Sequence, residues 1–211
     1  MKLALALAGL LLATACGTDG GTGSGGSAAD PAPTSSPSAT TGAVPAARGE
    51  VTTRGLATVM DTGRPELCLG PVAESDPPQC RGIPLEGWDW SARHGTYDTS
   101  DDVRWGQYAV TGTFDGTTMT VTGAIPAAVY DPAAPDEALP SGDAGTGLVD
   151  QQEVRRKLLA APLPGTLTVS PTPAGVVVEV VHDDGSLQQR VDAAYGAVVV
   201  EVRSVLVPVN R

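Results

Sequence analysis

The chain has 211 residues, a formal net charge of −11 and a sequence pI ≈ 4.4. A protein this acidic lacks the basic surface that binds a phosphate backbone, so we expect no nucleic-acid partner and no direct docking on anionic lipid headgroups. Aromatic residues make up only 4% of the sequence, which makes any local concentration of them informative.

The first residues have the pattern of an export signal. Residues 1–15 contain a charged start, an apolar run too short to span a bilayer, and small residues directly before Cys16. This arrangement resembles the lipobox of bacterial lipoproteins, in which the cysteine is diacylated and becomes the new N-terminus. Ala13 stands where that family usually has leucine, so an ordinary signal peptide with an incidental Cys16 is the alternative. The resemblance implies a protein anchored through N-terminal diacylglycerol to the extracytoplasmic face of the cell membrane.

Residues 16–50 are predicted to be the lipidated cysteine followed by a disordered tether. This stretch consists mainly of Gly, Ser, Thr, Ala and Pro and has almost no large apolar residue. Such a segment cannot bury enough apolar surface to offset the entropy lost on ordering. We therefore expect the folded part to begin near residue 51.

Residues 51–130 are predicted to form a β-rich subdomain that a disulfide braces. Residues 51–60 and 66–70 have the composition of strands, and the Pro-Pro pair at 77–78 indicates a loop after the second of them. If Cys16 carries lipid, Cys68 and Cys80 are the natural disulfide pair in an exported protein. Their spacing is far from C-x-x-C, so a structural bridge is favoured over a redox pair.

The segment PPQCRGIPLEGWDW, residues 77–90, carries a second resemblance. It is similar to a segment of an uncharacterised family of secreted proteins and lipoproteins from high-GC Gram-positive bacteria. The similarity continues more loosely through residues 105–108 and the hairpin after them to residues 207–209. It implies an exported protein and a fold, and it implies no activity and no catalytic residue.

Residues 104–125 give the clearest local signal in the sequence, a hairpin that turns at Asp115-Gly116. In its first arm Tyr108, Val110, Gly112 and Phe114 share one face, and threonines line the other. Together with the earlier strands this predicts an N-terminal antiparallel sheet or an OB-like partial barrel.

The remaining sequence predicts a loop at 131–147 and an α+β subdomain at 148–211. Its expected elements follow an α-β-β-α-β order, so the fold class is α+β. They are a helix at 151–159 with Asp150 as N-cap, strands at 165–170 and 176–182, a helix that Ser186 caps and that ends at Tyr195-Gly196, and a strand at 197–207. The last two strands are expected to be parallel, with Val198, Val200 and Val202 facing inward.

The sequence contains no nucleophile motif, metal-ligand cluster or Gly-rich phosphate loop, so we expect no catalytic residue, no cofactor and no metal. One polar segment, which carries His94, Asp98, Asp101 and Asp102, could gather around a cation or supply an acid and a base. A solvated loop is the favoured interpretation, because the spacing matches no calcium loop. His182 is expected in a turn, and the pair Glu86 and Asp89 is discounted as a glycosidase pair.

The aromatic residues concentrate in one short region. They are Trp88, Trp90, Tyr97, Trp105 and Tyr108. If exposed, they would form a platform for a sugar ring or for a partner's apolar surface. If buried, they would be the core of the disulfide-braced half, and burial is the favoured interpretation.

The sequence therefore predicts a lipid-anchored binding module for a cell-envelope protein or a wall glycan. The alternative is a structural or accessory envelope subunit without a ligand site. An extracytoplasmic hydrolase is the third and weakest hypothesis.

Overall fold

The computed structural model describes residues 42–132 and 150–209. The strands in these ranges are β1 (Glu50–Thr53), β2 (Ala57–Asp61), β3 (Pro65–Cys68), β4 (Ile83–Glu86), β5 (Asp98–Ser100), β6 (Val103–Phe114), β7 (Met119–Pro126), β8 (Thr166–Thr172), β9 (Gly175–Val180), β10 (Val200–Ser204) and β11 (Leu206–Pro208). The helices are α1 (Gln151–Ala160), α2 (Ser186–Tyr195) and two short 3-10 helices, Trp90–Arg93 and Ala127–Val129.

The larger sheet closes on itself as a five-stranded barrel in the order β2-β3-β4-β7-β6. The closure follows because β6 pairs with both β2 and β7. Every pair in the barrel is antiparallel except β4 with β7, which is parallel. A five-stranded barrel of this kind is OB-like, so the predicted α+β fold with an OB-like barrel is confirmed. β1, β5 and β11 extend the sheet beyond the barrel.

The long hairpin of β6 and β7 supplies much of the barrel core. Tyr108, Val110 and Phe114 alternate inward along β6 and are almost fully buried, as the period-two pattern predicted. At the turn, Asp115 Oδ1 accepts hydrogen bonds from the backbone N–H groups of Thr117 and Thr118. These bonds hold the pKa of Asp115 below its ordinary value.

The second half has the predicted α-β-β-α-β order, with a three-stranded sheet ordered β10-β9-β8. β8 and β9 are antiparallel, and β9 and β10 are parallel, as expected for strands joined through a helix. The helices bury their apolar faces against the small sheet, α1 against β8 and β9 and α2 against β10. The buried set comprises Val154, Leu158, Val176, Val178, Val180, Leu187 and Val191.

The two helices begin differently. Asp150 caps α1 as predicted, since its Oδ1 accepts from the backbone N–H of Gln152 and of Glu153. The expected Ser186 cap on α2 is wrong. The N-cap residue is Gly185, and Asp183 Oδ1 accepts from the backbone N–H of Leu187 at 2.9 Å.

Two predicted strands are each divided in the structure. Residues 51–60 become parts of β1 and β2, which lie end to end along β6. Residues 197–207 become β10 in the small sheet and β11 in the large one. Val198 was expected to face inward, but it is 81% exposed with a φ of 65°. The chain turns there, before β10 begins.

The predicted tether extends to residue 50, but the packed part of the chain starts earlier. Val44 and Ala47 pack against the barrel core, and the Ala47 N–H donates to Phe114 O at 2.9 Å. These small residues give no periodic signal, which is why the sequence placed the boundary too late. Cys16 and the predicted loop 133–147 lie outside the described residues.

All the described residues lie within one compact unit, Ala39–Arg211. The two halves are joined where the chain passes from β10 in the small sheet to β11, which pairs with β1 in the larger one. Among residues 42–132 and 150–209, no helix has the length and apolar character needed to cross a membrane.

Candidate functional site

Four of the five aromatic residues singled out from the sequence form an inner aromatic cluster: Trp88, Trp90, Tyr97 and Tyr108. The ring centroids of Trp88 and Trp90 are 5.3 Å apart, and those of Trp88 and Tyr108 are 4.8 Å apart. The planes of the two tryptophans meet at 77°. Edge-to-face packing of this kind stabilises a core, and it does not offer a flat platform to a sugar.

Trp90 and Tyr108 belong to the barrel core, with exposed fractions of 6% and 0%. Their polar atoms are satisfied inside the protein. Trp90 Nε1 donates to Asp61 Oδ2 at 2.8 Å, and Tyr108 OH donates to Thr96 O at 2.8 Å. Burial raises the pKa of Tyr108 above its ordinary value. These two residues therefore cannot belong to an exposed binding face.

Trp88 lies at the rim of the inner aromatic cluster and is half-buried. The guanidinium carbon of Arg93 lies 3.8 Å from its ring centroid, a cation–π contact that covers one face of the indole. Arg93 is held in place by its donation to Asp89 O at 2.8 Å. Trp88 Nε1 is buried without a hydrogen-bond partner within the described residues.

Trp105 faces the opposite side of β6. Burial along most of β6 alternates with residue number. The even-numbered positions from 106 to 114 are buried, whereas positions 103, 105 and 107 are half-buried or exposed. In residues 42–132 and 150–209 Trp105 stacks with no other aromatic ring. Trp105 therefore does not join the other four aromatic residues in the inner aromatic cluster, because residues 105 and 108 are an odd number of positions apart on a strand.

Trp105 lies in an outer row of side chains that crosses the barrel wall from strand to strand. Trp105 is directly opposite Asp98 in β5 on one side and Met60 in β2 on the other. Met60 is in turn opposite Glu66 in β3. Glu66 is opposite Pro84 in β4. Side chains directly opposite one another in a sheet lie on the same face. The outer row therefore comprises Asp98, Trp105, Met60, Glu66 and Pro84.

The chemistry of the outer row is an apolar centre with carboxylates on either side. Met60 is 8% exposed although it points away from the barrel core. Asp98 is exposed, and Glu66 is half-buried with its Oε2 accepting from the Gly82 N–H at 3.1 Å. The indole of Trp105 and the neighbouring Met60 lie between the two carboxylates, so the indole can stack against the apolar face of a ring while the carboxylates accept from hydroxyl groups at its edge.

The polar segment around His94 does not form a cation site. Asp101 and Asp102 make the two-residue turn between β5 and β6, and Asp101 has a φ of 50°. Asp98 belongs to β5, and His94 is exposed at the end of the 3-10 helix Trp90–Arg93. No group of three or more His, Cys, Asp or Glu residues within the described ranges could hold a metal ion.

Asp89 has a local structural role. Its Oδ1 accepts from both the backbone N–H and the hydroxyl of Ser91 and so caps the 3-10 helix. These bonds lower the pKa of Asp89. Glu86, the residue drawn with it as a pair, is exposed at the end of β4.

Cys68 and Cys80 form the predicted disulfide, with Cα atoms 6.0 Å apart. Cys68 is buried at the end of β3, and the bridge ties the loop after it to the barrel wall. Cys16 is not among the described residues.

His182, expected in a turn, lies just after β9 and is buried. Its Nδ1 lies 3.1 Å from Leu206 O, and its ring is edge-to-face with Phe114 at a centroid distance of 6.4 Å. It lies between β9 and α2, and its contact with Leu206 is with β11 of the larger sheet.

The sequence analysis missed Met60, Glu66 and Pro84 as neighbours of Trp105. Their grouping depends on the register of β2, β3 and β4, and no local pattern encodes that register. Comparisons with family models, with curated proteins and with solved structures found no match to this chain.

Proposed function

We propose that this protein is a lipid-anchored extracytoplasmic module that binds a wall glycan on the outer row of its barrel. The observation that carries the proposal is the position of Trp105. It is the one tryptophan of the three that faces outward from the barrel, and it is half-buried between Asp98 and Met60 in the outer row.

The fold supports a glycan over the other usual ligands of its class. OB-like barrels bind oligonucleotides and oligosaccharides on the outer face of their second and third strands. In this barrel those strands are β3 and β4, which contribute Glu66 and Pro84 to the outer row. The net charge of −11 disfavours a polyphosphate chain, so an oligosaccharide is the better fit.

The proposed location rests on the N-terminal sequence and on the disulfide. A disulfide such as Cys68–Cys80 persists in oxidising compartments outside the cytoplasm. Diacylation at Cys16 would anchor the chain, since two acyl chains give stable membrane attachment where one does not.

A protein partner is the second candidate, and one observation favours it. Ile125 and Val129, at and just beyond the end of β7, are 49% and 71% exposed. Large apolar side chains grouped at a surface are typical of protein contacts. This patch lies on a different strand from the outer row, so substitutions can separate the two hypotheses.

Titration of soluble wall-glycan fragments into the full chain, measured by calorimetry and by tryptophan emission, tests glycan binding. We expect binding heat and an emission change in the natural chain, loss of both in Trp105→Ala, and partial retention in Trp105→Tyr. Ile125→Ala is the control and should bind as the natural chain does. No binding heat, or equal binding in Trp105→Ala, would count against the proposal.

The anchor has its own test. Membrane and soluble fractions of cells that express the natural chain or Cys16→Ser are compared by immunoblot. We expect the natural chain in the membrane fraction and the variant in the soluble extracytoplasmic fraction. An unchanged distribution would leave the ordinary signal peptide as the better explanation.

A further inference from the structure

β10 is the edge of the small sheet, since the order of that sheet is β10-β9-β8. The N–H of Val176 in β9 donates to Val199 O, so residues 199, 201 and 203 turn their backbone groups toward β9. Successive residues of a strand alternate, and Val200 and Val202 therefore turn theirs to the open side. Unpaired backbone groups on such an edge are a template for another strand.

The side chain of Gln188, from the first turn of α2, fills this edge. Its Nε2 donates to Val200 O at 2.9 Å, and its Oε1 accepts from the Val202 N–H at 2.7 Å. A side-chain amide has the donor and the acceptor of a peptide group, so it takes the place of a residue in a neighbouring strand. The second N–H of Nε2 donates to Asp192 Oδ1 at 2.8 Å and fixes the orientation of the amide.

The next outward position on the same edge is covered as well. Arg54 Nε donates to Ser204 O at 3.2 Å. Three successive outward-facing residues of β10 thus have an intramolecular partner for at least one backbone group. Cover of this extent is typical of the devices by which proteins protect sheet edges from unwanted pairing.

We propose that Gln188 is an edge guard that keeps β10 closed, and that the partner it excludes is the β10 strand of a second copy of this chain. The strand is self-complementary. In an antiparallel pair centred on Val202, Glu201 of one copy lies opposite Arg203 of the other, and the reverse contact forms by symmetry. The two side chains already form an ion pair within one copy, at 2.8 Å. This inference is independent of the glycan proposal.

The test is sedimentation velocity of the full chain over a range of concentrations, with circular dichroism to verify folding. Gln188→Ala and Gln188→Met are measured together, because Met preserves the length of the side chain and removes its hydrogen bonds. Gln189→Ala is the matched control, since Gln189 is the exposed neighbour in the same helix. We expect both Gln188 variants to dimerise about tenfold or more tightly than the natural chain and the control, because each frees two backbone groups for a new strand.

A charge reversal identifies the interface. Adding Arg203→Glu to Gln188→Met should abolish the dimer by placing like charges opposite each other, and adding Glu201→Arg as well should restore it. Folded variants that stay monomeric, unfolding of both Gln188 variants, or a dimer indifferent to Arg203→Glu would each overturn the proposal.

Discussion

Replacement of Trp90 by phenylalanine tests the role of the inner aromatic cluster, and the same replacement at Trp88 is its matched control. Trp90 is buried, and its Nε1 donates to Asp61. Trp88 is half-buried, and its Nε1 has no acceptor among the described residues. Both substitutions delete the same atoms, so the difference between them reports the hydrogen bond and the deeper burial at Trp90, less the weakened cation–π contact between Arg93 and residue 88.

The size of the difference follows from the contacts. A hydrogen bond to a charged group contributes about 1.5–3 kcal/mol to stability. Asp61 is half-buried, so in Trp90→Phe water can replace the lost donor, and we take the lower value of about 1.5 kcal/mol for the loss of this bond. The cavity that Trp90→Phe leaves in the core adds about 1 kcal/mol to the loss of stability, compared with the same replacement at Trp88. We expect Trp90→Phe to lower the free energy of unfolding by about 2–4 kcal/mol and Trp88→Phe by about 1 kcal/mol.

Urea unfolding followed by far-UV circular dichroism measures both values, because this signal does not depend on the tryptophans that are removed. The slope of the unfolding free energy against urea should be the same in the natural chain and in both variants. Equal losses, or a larger loss for Trp88→Phe, would refute the reasoning. Asp61→Asn gives an independent comparison, since it weakens the acceptor and leaves both rings in place.

Three further predictions concern the barrel. A methyl group at Gly106 would lie 2.7 Å from Thr96 O and 2.8 Å from the Tyr108 ring, so Gly106→Ala should lower the melting temperature. Gly123→Ala is the control and should change the melting temperature much less, because the atom nearest to its added methyl group would be 3.9 Å away. Joint replacement of Cys68 and Cys80 by Ala should cost about 2–5 kcal/mol in urea unfolding, and no loss would show that the bridge is dispensable. Burial raises the pKa of Tyr108, so the folded state resists its ionisation; stability should be full below pH of about 10 and fall as the pH rises above it. Tyr108→Phe should flatten that alkaline fall, and an unchanged slope would contradict the assignment.

Local patterns were enough to predict much of the fold. The alternation along β6, the Asp115-Gly116 turn and the Asp150 cap each depend on residues within a few positions of one another. The order of elements in the second half follows from the same kind of signal. Such features are local in the chain, so tertiary contacts do not have to be known to find them.

The pairings that close the barrel could not be predicted in the same way. The parallel contact of β4 with β7 joins residues more than thirty positions apart, and β11 with β1 joins the two ends of the folded chain. The sequence favours Ser186 as the cap of α2 because serine suits an N-cap, but Gly185, with a φ of 96°, holds that position and Asp183 supplies the acceptor. The burial of His182 likewise depends on where Leu206 returns to the large sheet.

Only part of the candidate site can be predicted from the sequence. The spacing of Trp88 and Trp90 suggests two residues of one strand, but β4 ends at Glu86 and Gly87 has a φ of 75°, so the chain leaves the sheet before either ring. The separation of Trp105 from Tyr108 was readable in principle, since three positions along a strand change the face. What no pattern could supply is the register that places Met60 beside Trp105.

The division of the aromatic residues also separates stability from binding. The inner aromatic cluster fills the barrel. Any substitution there changes the stability of the folded state, so variants of Trp90 or Tyr108 cannot test ligand binding. Trp105 contributes to neither buried core cluster of the described chain. Its substitution should therefore lower the affinity of the outer row for a ligand and leave the stability of the fold nearly unchanged. A loss of function at Trp105 with the melting temperature preserved therefore carries information that no variant of the inner cluster can provide.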